Sequence, residues 1–193
     1  MAKINYYGKD ISYADSSEIF EKTSAFIRNK LQPIDMVKKI LPVTDKKLQF
    51  EGVDKILILE SGAIRRLEEK IRRISYNDIL IEIIADNRYA SYDSSTNEFK
   101  CEAFRGEGWG MKTYQTDFLL YYFEDTNTGY LFSWQKFRKV LTEYLQYWYQ
   151  QAEKNKNGFG LKIAHNKDYY SVNIAIPTHI FLSAYIYVGG RII

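Results

Sequence analysis

Gly52-Val53-Asp54-Lys55-Ile56-Leu57-Ile58-Leu59-Glu60-Ser61-Gly62-Ala63-Ile64-Arg65-Arg66-Leu67-Glu68-Glu69-Lys70-Ile71-Arg72-Arg73 is the stretch on which the fold of this chain turns. Val53 to Glu60 is dense in aliphatic and β-branched residues, which suit a pleated, half-buried strand. Ser61-Gly62 supplies a tight turn, and Ala63 to Arg73 returns as a second strand. Side chains two apart on a strand share a face, so Glu68 and Lys70 project together. What they meet depends on register. A two-residue turn at Ser61-Gly62 makes the numbers of facing residues total 123 and sets Asp54 against Glu69, with Glu68 and Lys70 on the other face. A three-residue loop or a β-bulge shifts that total by one and brings Asp54 onto the Glu68/Lys70 face.

Upstream, Asp15-Ser16-Ser17-Glu18 has the oxygen-bearing cap residues and first-turn acid of a helix start. Ile19, Phe20, Thr23, Phe26, Ile27 and Leu31 follow at helical spacing, which predicts an amphipathic helix over 16–31. A second short helix is expected after Pro33, ending near Leu41-Pro42, because proline discourages helix in the residue before it. Residues 1–14 are polar and tyrosine-rich and read as an arm or an edge strand. Downstream, Ile79 to Ala85 is nearly continuously apolar, as expected of a central strand buried on both faces. Glu82 inside it is costly unless it meets a partner or a metal. Residues 86–113, with Gly106, Gly108 and Gly110 around Trp109, read as a long loop. Phe118 to Phe123 and Tyr130 to Phe132 predict a strand pair. Trp134, Phe137, Leu141, Tyr144, Leu145 and Trp148 form a helical stripe over 134–153, read as core. Tyr169 to Ile176 suggests a strand, and Thr178 to Tyr187 a helix or a last strand.

A length of 193 residues predicts a single domain, 1–193, with a core over about 15–153 and an aromatic, partly helical C-terminal extension over about 154–193. One cysteine, Cys101, excludes an intramolecular disulfide framework and fits a reducing compartment. With it, His165 and His179 cannot assemble an ordinary structural zinc site. No apolar run is long enough to span a membrane, and the N-terminus lacks the apolar core of a signal peptide, so a cytoplasmic protein with no membrane partner is expected. The net charge of +3 identifies no partner. Its distribution says more: Lys22 to Arg73 holds thirteen basic against seven acidic residues, either a solvated face or a surface for phosphates. There is no P-loop and no G-x-S-x-G elbow, and the glycines around Trp109 lack the strand–helix setting of a dinucleotide site.

Chemistry therefore concentrates on Asp54, Glu68 and Lys70. Two carboxylates on adjacent strands suit Mg²⁺, which takes hard oxygen ligands and keeps several waters. An ammonium beside them can orient an attacking water or neutralise a developing phosphorane. No histidine is needed. As a pattern, D-(x)13-E-x-K also describes an ordinary charged hairpin, the setting of an unrelated α/β binding domain.

The arrangement resembles the PD-(D/E)xK nuclease superfamily, above all its phage- and prophage-encoded restriction-endonuclease-like members. The resemblance runs from residue 52 to about 140, through Leu67-Glu68-Glu69-Lys70-Ile71-Arg72-Arg73, Tyr76-Asn77-Asp78-Ile79-Leu80-Ile81-Glu82, Gly108-Trp109 and Thr116-Asp117-Phe118 to Phe123. Val53 stands where the family carries proline. The resemblance implies an α-β-β-β-α-β core, a mixed sheet flanked by helices. It implies Asp54 and Glu68 as ligands of Mg²⁺ (or Mn²⁺ in its place), Lys70 as the catalytic lysine and Glu82 as an optional outer carboxylate. Glu18, on the first helix, would be a further acid at the site, as a helical acid is in some relatives. Arg72 and Arg73 would contact DNA phosphates or form a solvated strand end. The function implied is hydrolysis of DNA phosphodiester bonds. The alternative is a phage-type protein that keeps the fold and, without cleavage, binds and inhibits a host defence enzyme or a nucleic acid. A host protein partner and a homodimer stay open, with residues 134–193 the surface for either.

Overall fold

Val53 to Arg73 folds as the hairpin its composition predicts, and the rest of one sheet assembles around it. The computed structural model describes residues 17–85, 90–93, 98–101, 107–112, 114–165 and 170–193. The expected arm over 1–14, the cap residues Asp15 and Ser16, and Gly106 lie outside them, as do the side chains of Cys101 and His165. By contact the chain divides into two compact units, one from the described residues of 78–112 and 144–181, the other from those up to 77 and of 113–143 and 182–193. The chain is mixed α/β.

The second unit holds α1 (Ser17–Leu31), β1 (Val37–Pro42), α2 (Lys46–Phe50), β2 (Lys55–Leu59), β3 (Ile64–Arg72), β7 (Phe118–Phe123), β8 (Thr128–Ser133) and the start of α3 (Trp134–Glu153). Its sheet runs β1-β2-β3-β7-β8, with β3 parallel to β7 and the other neighbours antiparallel. One face buries Leu57, Leu59, Leu67, Leu120, Tyr122 and Leu131 against Ile27 and Leu31 of α1, the side of the helix that the spacing marks out. On the other face Phe132 packs on Phe137 of α3, with ring centroids 5.8 Å apart, and edge-on to Tyr185 at 4.9 Å.

β1 corrects the expectation of a second short helix. Only Ile40 is deeply buried, Lys38 and Lys39 face solvent, and pairing with β2 supplies the hydrogen bonds. Proline at the end of the segment disfavours helix, but an edge strand accommodates it equally well. The helix that does form, α2, is capped by Asp45, whose Oδ1 accepts the N–H of Lys47 at 2.8 Å.

The first unit holds an antiparallel sheet ordered β4-β10-β9 from β4 (Asp78–Ala85), β10 (Tyr170–Pro177) and β9 (Gly160–His165), and a hairpin of β5 (Ala90–Asp93) and β6 (Glu98–Cys101). β4 is thus an edge strand of this sheet, not a central one, and its burial alternates. The strand buried on both faces is β10, from Ser171 to Pro177. Along β4 lies the glycine segment: Gly108 N–H donates to Ile83 O at 3.2 Å and Gly110 N–H to Glu82 O at 3.0 Å. A Cβ at Gly108 would stand 2.3 Å from Glu82 O, so only glycine allows this approach. Residues 154–193, expected as an extension, supply β9, β10 and the first part of α4 (Thr178–Tyr187) to this unit and 182–193 to the other. Between β3 and β7 the described residues contain strands and no helix, so the helix expected after the third strand of the core is not found there.

Candidate active site

The loop between β2 and β3 fixes the site. Gly62 N–H donates to Leu59 O at 3.0 Å and Leu59 N–H to Ala63 O at 2.9 Å, closing a three-residue loop over Glu60, Ser61 and Gly62. Gly62 has φ +83°, a left-handed conformation natural to glycine. Facing residues run from Lys55↔Leu67 to Ile58↔Ile64, a total of 122. This is the register that puts Asp54 on the face of Glu68 and Lys70.

Asp54 leaves the ladder just before β2. Its N–H donates to Leu67 O at 2.8 Å, its C=O accepts Val43 N–H at 2.9 Å, and its Oδ2 accepts the N–H of Glu69 at 2.7 Å. The carboxylate is held by backbone on the strand that carries its neighbours. Glu68 is only 3% exposed and forms an ion pair with Lys70, whose side chain is 27% exposed. Burial pushes the Glu68 carboxyl up to about 7; the Lys70 ammonium opposes that rise and the Asp54 carboxylate adds to it. Burial works to lower Lys70, but Glu68, Asp54 and Tyr114 together hold it raised. The cluster is therefore two carboxylates and one firmly protonated ammonium.

Tyr114 is a member of this neighbourhood that the sequence reading does not single out. Its ring lies where a Cβ on Gly52 would be, 2.3 Å from that position, and 5.3 Å from the Trp134 ring. Nothing in the sequence links residue 114 to 54; the one local signal is the glycine two residues before Asp54. Thr116 and Asp117 fix the parallel strands: Asp117 Oδ2 accepts Arg66 N–H at 2.8 Å, and Thr116 Oγ1 donates to Arg66 O at 2.9 Å.

Arg72 follows Glu68 and Lys70 on the same face of β3. Its Nη1 donates to Tyr121 Oη at 3.2 Å and its guanidinium sits 4.6 Å from the centre of the Tyr76 ring. Arg73 is exposed, and its C=O accepts Asp125 N–H at 3.2 Å. Glu18 is bound 2.7 Å from Lys22 on its own helix and is solvent-exposed. Glu82 belongs to the other unit, where its Oε1 accepts Trp109 N–H at 3.3 Å, the partner that its place in an apolar strand requires.

Among the described residues no three His, Cys, Asp or Glu side chains cluster as metal ligands do. Asp54 and Glu68 alone still fit a hard divalent ion that keeps most of its water. Their mutual repulsion and the upward push on Glu68 are what a nearby cation would relieve. No model of a known protein family matches this chain, and no match is found among curated proteins or solved structures. Among the described residues no helix is long and apolar enough to cross a membrane.

Proposed function

We propose that the chain is a Mg²⁺-dependent nuclease that hydrolyses DNA phosphodiester bonds, built on a restriction-endonuclease-like core of the PD-(D/E)xK type. The observation that supports it is the register of the β2–β3 hairpin, which gathers Asp54, Glu68 and Lys70 on one face. A charged hairpin with no such role has no reason to set a buried carboxylate beside a second one on the same face.

Asp54 and Glu68 would hold the ion, with Mn²⁺ able to take its place. When bound, a divalent ion polarises the phosphodiester and lowers the pKa of water. The remaining work falls to the chain. Lys70 is held protonated, so it serves as a cation for the charge developing on phosphorus and as a donor that orients water, not as a proton acceptor. The Glu69 N–H fixes the Asp54 carboxylate, so its oxygens need not reorganise during reaction. Arg72 lies two residues, about 6.6 Å, beyond Lys70 on the same face and is placed for a neighbouring phosphate. Arg73 adds charge at the exposed strand end.

A thermal-stability titration with Mn²⁺, run on wild type and Asp54→Ala, tests this reading. At a hundredfold excess over Kd, a ligand of the folded state adds about 2.7 kcal/mol, several degrees for a chain of this size. The rise is expected in wild type and lost in the variant. Asp54→Ala and Lys70→Ala are each expected to abolish DNA cleavage; undiminished cleavage by either sinks the assignment.

The second reading keeps the scaffold without cleavage: a phage-type protein that binds a host defence enzyme or a nucleic acid. It is favoured by the closed Glu68–Lys70 ion pair, which already neutralises both groups, and by the exposed Ile186, Tyr187 and Ile192 near the C-terminus. No Mn²⁺ shift and no cleavage, with retained binding, would establish it.

A further inference from the structure

On the α1 face of the sheet, opposite the cluster, two buried charges have no part in the chemistry above. Lys55 is 3% exposed, and its Nζ lies 2.9 Å from Oε1 of the buried Glu69 side chain. The same ammonium donates to Thr23 Oγ1 on α1 and sits 4.5 Å from the centre of the Phe20 ring. Its approach to Glu69 Oε1 is off the axis of a hydrogen bond, and that oxygen has no aligned donor. Such a pair is weak as a source of stability, since well-packed apolar residues often do as well or better in its place. Its value lies in what it specifies.

The pair closes a ring across the two strands. Asp54 Oδ2 accepts the N–H of Glu69. One peptide further, Lys55 reaches along the α1 face to the Glu69 carboxylate on the neighbouring strand. Both links join residues 54–55 to residue 69, and a slip of one residue breaks both at once. The same slip turns every side chain of β3 to the opposite face and sets Asp54 against Glu69 in place of Glu68. The apolar pattern of β3 resists this through Leu67 and Ile71, which share their face with the charged Arg65 and Glu69 and oppose Arg66, Glu68, Lys70 and Arg72.

We propose that Lys55 and Glu69 are positioning residues that lock the β2–β3 register and so hold Asp54 opposite Glu68 and Lys70. The functional consequence rests on the nuclease reading; the lock itself does not. The test is the double variant Lys55→Met/Glu69→Leu in the full chain, compared with wild type by thermal unfolding, Mn²⁺ titration and amide hydrogen exchange. The expected result is an unfolding midpoint kept or raised and the Mn²⁺ shift lost. The amide protection factor at position 69 should fall at least about tenfold relative to the amides of Leu119 to Tyr122 in β7. Unchanged protection at position 69 overturns the lock, whatever the metal does. Absence of a Mn²⁺ shift in wild type counts against the nuclease reading, and the exchange comparison still decides the lock. If the double variant does not fold, Thr23→Val removes only the hydroxyl that Lys55 donates to. A smaller but measurable loss of protection at position 69 is then expected, and none overturns the proposal.

Discussion

Gly52 carries two demands at one position. Its φ of +77° is a conformation that side chains resist, and the Tyr114 ring occupies the space of a Cβ. Gly62 makes only the first demand: at φ +83° nothing lies within 4 Å of its missing Cβ. Gly62→Ala should therefore cost about 1–2 kcal/mol in denaturant unfolding, the price of the backbone conformation alone. Gly52→Ala should cost about 2–4 kcal/mol, because overpacking against the ring adds to it. Trimming the ring with Tyr114→Ala in the Gly52→Ala background should recover the excess; if the two glycine variants cost the same, the ring does not press on that site. Asp125 gives a pH prediction at the same scale. Its two oxygens accept the Ser75 N–H, each at 2.9 Å, and Oδ2 accepts the Ser75 hydroxyl at 3.1 Å, which holds the carboxyl below its usual range. A depressed carboxyl stabilises the fold above its unfolded pKa, about 3.9, and that contribution is lost as pH falls through the folded value. Asp125→Asn should flatten the acid limb of the stability curve below about pH 4, and an acid limb that matches wild type would show that Asp125 does not contribute there.

At the scale of elements, β1 is one of the two edges of the five-stranded sheet, and its sequence guards it. Lys38 and Lys39 point to solvent, the pairing with β2 is irregular between Val37 and Lys39, and Pro42 ends it. These are the devices that keep edge strands from pairing with one another. Lys38→Thr/Lys39→Val should raise self-association in sedimentation velocity without changing the cluster at Asp54; an unchanged monomer fraction would show that the bulge and proline suffice. The same strand shows where sequence reading stops. α1, β2, β3, β7, β8 and α3 were legible because each writes a period or an apolar run long enough to read. β1 was not, because Pro33 and Pro42 bracket a segment whose strand character comes from pairing with β2. β4 read as central because its apolar run is long, and its edge position emerges only from the pairing with β10. The cluster was legible in its residue types and conditional in its register: Ser61-Gly62 permits both loops, and the choice is made by Gly62 and by contacts across the sheet.

For the whole molecule, the small net charge conceals how the basic residues are used. Of the thirteen between Lys22 and Arg73, Lys22 is bound to Glu18, Lys55 to Glu69 and Lys70 to Glu68. Two of these pairs cancel within the segment and leave its excess of six unchanged; only the pairing of Lys22 with Glu18, outside the segment, takes from the charge that can meet a phosphate backbone. Nucleic-acid affinity falls with salt in proportion to the phosphates neutralised, with a log–log slope of about −0.9 per contact. If Arg72 and Arg73 are the contacts, the slope is about −1.8, and affinity drops about twelvefold between 50 and 200 mM salt. Fluorescence anisotropy of a DNA oligonucleotide with the Asp54→Ala chain in EDTA measures this without cleavage. Arg72→Ala/Arg73→Ala should shallow the slope by about two contacts, whereas an unspecific basic surface would lose no more than its share of charge. A slope unchanged by that double variant would remove the arginines from the interface. A slope near zero in the parent chain would remove DNA as the ligand of this face and leave a protein surface as the partner to seek.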